Sequence, residues 1–191
     1  DECGVDYLVS SANKCIEGIP GFSFVLARKS ELNKTKGNCD SLVLDVHAQW
    51  LGLAATRQFR FTPPTHAILA FRQALDELDQ EGGVVGRARR YQENQRVLHK
   101  GMSDLGFKLY LPPNLAGYII TSYEYPTDPN WDFGTFYNKL NAKNLVIYPG
   151  KVTQAECFRI GHIGRLFPQD MEELLVGVEE TCKEMCILGH S

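Results

Sequence analysis

The stretch between residues 60 and 106 restricts the fold more than any other. It opens as "RFTPPTHAILAFRQALDELDQEGG", in which Pro63 and Pro64 stiffen the chain, Thr65 is placed to cap, and Ile68, Leu69, Phe71, Ala74, Leu75 and Leu78 recur at helical spacing. Gly82 and Gly83 interrupt this pattern. It resumes from about residue 84 to 105, dense in Arg and Lys on its polar side, and closes near Gly106. That basic face reads as solvated. An apolar stripe of this kind must be covered by other elements, so the flanking sequence decides the fold class.

Both flanks carry β-type runs. Residues 6–10 and 22–27 read as short strands on either side of a polar and glycine-rich turn, while "LVLDVHAQW" further on fits strand or helix equally. After the helices come "FKLYL", "GYIITSYEY" and "NLVIYPG" as strand-like runs, with "FGTFYNKLNAK" as a helix before the last. "CFRIGHIG" is a further strand. "PQDMEELLVGVEETCKEMC" is a final helix, with Pro168 near its start and Met171, Leu174, Leu175, Val178 and Met185 on one face. The expectation is an α/β chain whose second half is an α+β unit, with the domain boundary in or beside the helical connection at 75–90. Dividing it at residue 80 gives domains 1–80 and 81–191.

At 191 residues and 43% hydrophobic content, a substantial core is available. A net charge of −3 gives no general attraction to nucleic acid or to an anionic membrane. No apolar run approaches the roughly 18–20 residues that span a bilayer, and the N-terminus lacks signal-peptide character. An intracellular, cytoplasmic protein without nucleic-acid or membrane partners is therefore expected. The six cysteines lack CxxC spacing and read as free thiols. Cys182, Cys186 and His190 fall four apart, a spacing that can mimic a metal site, but they fit ordinary helix composition, and the five histidines form no ligand pattern. No metal is expected. GxSxG, Walker A and GxGxxG motifs are missing, and Gly161 and Gly164 read as strand curvature or close packing.

Three residues stand out chemically. Lys14, in "VSSANKCIEGIPGF", sits in a turn between two strands with small residues before it. Partial desolvation there would lower the amine's pKa and make it a nucleophile toward carbonyls, but from position alone a surface lysine in a loop is the simpler reading. "RFTPPTH" sets the hydroxyls of Thr62 and Thr65 at a helix start, where they and free amides suit a phosphate; a helix cap is the simpler role, for Thr65 more than Thr62. Arg159, in "CFRIGHIG", lies among apolar residues on a strand, where a guanidinium needs a carboxylate or phosphonate from the protein or a ligand.

Taken together, "SSANKCIEGIPGF", "RFTPPTHAILAF", "VIYPGKVT" and "CFRIGHIG", in this order, closely resemble the 2-aminoethylphosphonate–pyruvate transaminases. These are class V aminotransferases of the fold-type I family that uses pyridoxal 5′-phosphate (PLP). The resemblance implies that Lys14 matches the lysine that forms the Schiff base with the cofactor and shuttles the proton. It implies that Thr62 matches a threonine that contacts the cofactor phosphate from the neighbouring subunit of a homodimer. Arg159 matches the arginine that holds the anionic group of 2-aminoethylphosphonate or pyruvate. The products would be phosphonoacetaldehyde and alanine.

The resemblance also implies a departure. Family members carry, well before this lysine, a phosphate-cradling loop, a ring-stacking residue and an aspartate for the pyridine nitrogen, and none of these can be placed in residues 1–9. The expectation is a C-terminal portion, comprising the end of the large cofactor domain (1–80) and the small domain (81–191), that is a poor catalyst or an inactive one alone. Two alternatives stay open: an alanine–glyoxylate or serine–pyruvate type aminotransferase, and a non-catalytic remnant serving assembly or binding.

Overall fold

A computed structural model describes residues 3–150 and 156–187. The chain divides into two compact units, Asp1–Glu77 and Leu78–Ser191, with the division falling inside a helix.

In the first unit, β1 (Tyr7–Ser11) and β2 (Ser23–Ala27) form an antiparallel ribbon in which Tyr7 faces Ala27 and Ser11 faces Ser23. The ribbon leads into the single-turn α1 (Lys29–Leu32) and then α2 (Val46–Thr56). The undecided "LVLDVHAQW" splits between a turn and a helix because the Asp45 carboxylate accepts from the Ala48 amide at 2.9 Å, an N-cap that starts α2 at Val46. α2 ends where Arg57 turns left-handed (φ 59°).

α3 (Thr65–Gln80) begins one residue after Pro64, whose carbonyl accepts from Ile68 at 3.0 Å. Thr65 is thus the first helical residue and does not cap. The packed face of α3 also differs from the expected stripe. Ala67 and Ala74 are buried with Phe71 half-buried between them, whereas Leu69 is 70% exposed. A spacing of 67, 71 and 74 is one helical face, and Leu69 lies off it.

The second unit contains α4 (Gly83–Asp104), β3 (Ile120–Glu124), α5 (Phe133–Ala142), β4 (Tyr148–Pro149), β5 (Cys157–Gly161) and α6 (Pro168–Met185). The strands form an antiparallel sheet in the order β3-β5-β4. "FKLYL" contributes only a single bridge, Leu109 to Tyr123, because the chain runs at once into Pro112 and Pro113. One face of the sheet presents Thr121, Tyr123, Phe158 and Ile160 to the core, together with Leu98 and Met102 of α4, Phe136 and Leu140 of α5, and Met171 and Val178 of α6. Phe158 is fully buried among the rings of Phe107, Tyr123, Tyr125, Trp131, Phe133 and Phe136, at centroid distances of 5.6–6.4 Å. α4 ends through Gly106, whose φ of 86° few residues but glycine adopt, and α6 starts at Pro168 with Asp170 accepting from the Phe167 amide.

The basic side of α4 is not wholly solvated as its composition suggested. Arg87 and Arg90 are only 5% and 10% exposed, and both bind Glu81, at 2.5 and 2.7 Å. Arg90 also donates to the carbonyls of Gly164 (2.7 Å) and Leu166 (2.9 Å), and Asn94 donates to Leu166 (2.8 Å). These bonds fasten the loop after β5 to α4. Gly164 is needed there for its φ of 98°, not for curvature or close packing; a Cβ added at Gly161 or Gly164 would meet nothing within 4 Å.

Candidate active site

The turn carrying Lys14 is held at its base. Ala12 is fully buried, the Gly18 amide donates to its carbonyl at 2.9 Å, and the Glu17 amide donates to the Lys14 carbonyl at 2.8 Å. The glycines of the motif let the ribbon lie against α3. A Cβ on Gly18 would stand 2.8 Å from the Ala12 carbonyl oxygen and 3.2 Å from the Phe71 ring, and one on Gly21 would stand 2.8 Å from Ala67 Cβ. Phe22 and Phe24 pack on Phe71 at 5.3 and 5.6 Å. Lys14 itself is exposed, and among the described residues its Nζ makes no hydrogen bond or ion pair. By position it is the surface lysine in a turn that the simpler reading gave, an unencumbered amine on a turn held at its base.

Thr62 is exposed in an open concavity lined by residues 57–63. Arg60 ties the strip to α2 and to the turn before it: its amide donates to Gln49 Oε1 at 3.4 Å and its Nη1 donates to the Leu42 carbonyl at 3.3 Å, while its guanidinium lies 5.2 Å from the Phe61 ring centre. Among the described residues the hydroxyls of Thr62 and Thr65 make no hydrogen bond, and the amides of His66 and Ala67 have no backbone acceptor. That leaves a donor set at the positive end of a 16-residue helix.

Arg159 lies in β5, the central strand of its sheet, with Ser122 of β3 directly opposite on one side and Tyr148 of β4 on the other. It is half-buried, not engulfed by the apolar neighbours in its motif, because Phe158 and Ile160 point to the opposite face. Its Nε donates to the Pro149 carbonyl at 3.1 Å, and among the described residues no carboxylate pairs with it. The Nη side of the fork remains available for an anion.

The chain spans about half the length of the curated relatives it matches. It is 49% identical over 181 residues to the "2-aminoethylphosphonate--pyruvate transaminase" of Vibrio vulnificus, covering 94% of this chain and 49% of that protein. It is 52% identical over 178 residues to the protein of that name from Klebsiella pneumoniae, covering 93% and 48%. The chain is homologous to the 2-aminoethylphosphonate–pyruvate transaminases. No family model matches it. Among solved structures, pyridoxamine–pyruvate aminotransferase from Mesorhizobium loti superimposes with a TM-score of 0.85 at 21% identity, covering 97% of this chain and 48% of that one. Ureidoglycine–glyoxylate aminotransferase from Bacillus subtilis gives 0.83 at 18%, covering 98% and 49%. These likenesses establish the mixed α/β fold as that of fold-type I aminotransferases, matched over their C-terminal portions.

In this transaminase homologue, Lys14 and Thr62 lie in the first unit and Arg159 in the second, and Lys14 and Thr62 make no hydrogen bond to each other. Residues 151–153 of "VIYPGKVT" lie outside the described residues, as does His190. Cys182 is buried, Cys186 is exposed, and among the described residues no group of three or more His, Cys, Asp or Glu is arranged to hold a metal ion. No helix of the described residues is long and apolar enough to cross a membrane.

Sequence reading missed a buried polar ladder. Thr121 Oγ1 lies 2.9 Å from His99 Nε2 and 3.0 Å from His162 Nε2. One hydroxyl can donate to one imidazole and accept from the other, so neutral rings in opposite tautomers satisfy both of these contacts. Burial, reinforced by the neighbouring His99, lowers the His162 pKa to about 4, and burial lowers that of His99 as well. At Glu81 the hydrogen bond from Arg90, with that from Arg87, holds the carboxyl below its usual range against the opposing effect of burial. Histidines scattered at 99 and 162 carry no spacing signal, which is why only the folded sheet reveals the ladder.

Proposed function

We propose that this chain supplies the lysine-bearing and anion-binding half of a PLP-dependent aminotransferase that moves the amino group of 2-aminoethylphosphonate to pyruvate, giving phosphonoacetaldehyde and alanine. The observation that carries this reading is the identity of about half the residues, over nearly the whole chain, with proteins of that name. The alanine–glyoxylate alternative is supported only at the level of fold: the enzyme of that name from Nostoc is 23% identical. A non-catalytic role has no observation in its favour.

The residues fit the cofactor. An aldehyde needs an accessible amine, and Lys14 Nζ is exposed and unpartnered among the described residues; a phosphate needs clustered donors, and the hydroxyls of Thr62 and Thr65 and the amides of His66 and Ala67 are uncommitted there. PLP, when bound, supplies the electron sink that acidifies the C–H bond beside the substrate amine. Lys14 would be the covalent anchor, and its released amine would take the proton from that carbon of the amino donor and, in the second half of the cycle, deliver a proton to the carbonyl-derived carbon of the acceptor that becomes alanine. Thr62 holds the phosphate, in a homodimer from across the subunit interface. Arg159, its fork oriented by Pro149, receives the phosphonate of the amino donor and the carboxylate of pyruvate in turn.

A chimera in which this chain replaces the matching half of the Vibrio vulnificus relative tests the proposal. It should form alanine from 2-aminoethylphosphonate and pyruvate, and faster than from serine and pyruvate. Lys14→Ala should abolish turnover, and Arg159→Gln should raise KM for both substrates. A folded chimera that binds PLP yet prefers serine would contradict the substrate assignment.

A further inference from the structure

We infer that Ser122 and Tyr148 are specificity-determining residues: two hydroxyls flanking Arg159 that take the third oxygen of a phosphonate, which a carboxylate lacks. The inference rests on the reading of Arg159 as the anion-binding arginine and concerns how that site tells its two anions apart.

The geometry is set by register. Ser122 and Tyr148 are the direct cross-strand partners of Arg159 on its two sides, so the three side chains leave the same face of the sheet. Directly opposed residues in an antiparallel pair hold their Cβ atoms roughly 4.5–5.5 Å apart. Burial supports this orientation: Thr121, Tyr123, Ile147, Phe158 and Ile160 are buried on the core side, whereas Ser122 and Arg159 are half-buried and Tyr148 is 54% exposed. Neither hydroxyl makes a hydrogen bond among the described residues. Glu124, also on β3, stands opposite Cys157, two register pairs removed from Arg159.

The chemistry follows from counting oxygens. With Nε engaged by Pro149, Arg159 offers its Nη donors, which meet two oxygens of either a carboxylate or a phosphonate. A tetrahedral phosphonate then projects a third oxygen away from the guanidinium plane, toward a neighbouring strand. Ser122 or Tyr148 meets it there. A carboxylate leaves both hydroxyls to water, which costs little at a half-exposed surface.

Titration of the 191-residue chain with methylphosphonate, methanesulfonate and acetate, followed by NMR at the Arg159 Nε–H resonance, tests the inference. Methanesulfonate and acetate carry the same charge and differ in oxygen number, which separates shape from charge. Methanesulfonate and methylphosphonate should bind more tightly than acetate. Ser122→Ala and Tyr148→Phe should weaken the two three-oxygen anions, by up to about tenfold for the closer hydroxyl, and acetate by less than about twofold. Ser122→Thr, which keeps the hydroxyl, should retain the serine's share. Equal binding of methanesulfonate and acetate, or equal weakening of both by the hydroxyl variants, overturns this inference and leaves Arg159 as an anion site. If no anion perturbs the wild-type resonance, or the backbone amides of Ser122 and Tyr148 respond to all three anions in Arg159→Gln as they do in wild type, the Arg159 reading fails as well.

Discussion

The two units are built to different standards. In the second, a three-stranded sheet and its helices close over a core in which Phe158, Phe136, Leu98, Leu140, Met102 and Val178 are completely buried. In the first, few large side chains are enclosed, and the ribbon leaves Leu8, Val9 and Leu26 between 49% and 68% exposed. The candidate nucleophile stands on the less enclosed unit, while the candidate anion-binding arginine stands on the well-packed one. Rigidity at the lysine comes from close local contacts (Gly18 and Gly21 against Ala12 and α3) and not from a large core. The comparison teaches that a precise turn does not require a deep core.

The largest expected effect lies in the second unit. Phe158→Ala should cost about 3–5 kcal/mol, measured by denaturant unfolding, because it empties the centre of a ring cluster. A loss below about 1 kcal/mol would mean that this core is less tightly packed than its burial indicates. Acidification comes next. His162 is held neutral in the fold with a pKa near 4, against about 6.5 when unfolded, so the unfolded chain binds the extra proton between those values. The stability contributed by the neutral ring is complete above about pH 6.5. It should fall by roughly 3 kcal/mol as the pH drops toward 4 and level off below that. His162→Gln should flatten that slope, and an unchanged slope would show that other groups carry it.

Smaller effects sharpen the contrast from the other side. Gly21→Ala, with φ of 153° and a Cβ driven against Ala67, should loosen the Lys14 turn at a cost of about 1–3 kcal/mol, seen as faster amide exchange at Gly18 and Phe22. Asp45→Ala removes the cap of α2 and should cost about 1 kcal/mol. Leu26→Ser, on the exposed ribbon, should stay within about 0.5 kcal/mol of wild type. A loss as large as that of Phe158→Ala would mean that the ribbon is covered in solution and would erase the distinction between the units.

Much of this molecule is written locally. The breaks at Gly82 and Gly106, the start of α6 at Pro168, and the turn around Lys14 follow from residues adjacent in sequence, and they were legible there. What was not legible depends on partners far along the chain. Arg87 and Arg90 read as a solvated basic face until Glu81 and the carbonyls of Gly164 and Leu166 meet them. Leu69 satisfies a helical period yet faces outward, because Ala67 and Phe71 sit under the ribbon. The same holds for the candidate site: Lys14, Thr62 and Arg159 stand out by residue type and motif, whereas Ser122 and Tyr148 become neighbours of Arg159 only through strand register.

The central claim is that Lys14, on its fixed turn, is the amine that holds the cofactor. It is tested most directly by incubating the chain with less than one equivalent of PLP, reducing with borohydride, and locating the added mass by peptide mass spectrometry. The account predicts label concentrated on Lys14, displaced by 2-aminoethylphosphonate added before reduction, and lost in Lys14→Ala. Label spread evenly over the surface lysines, or undiminished in Lys14→Ala, would contradict it.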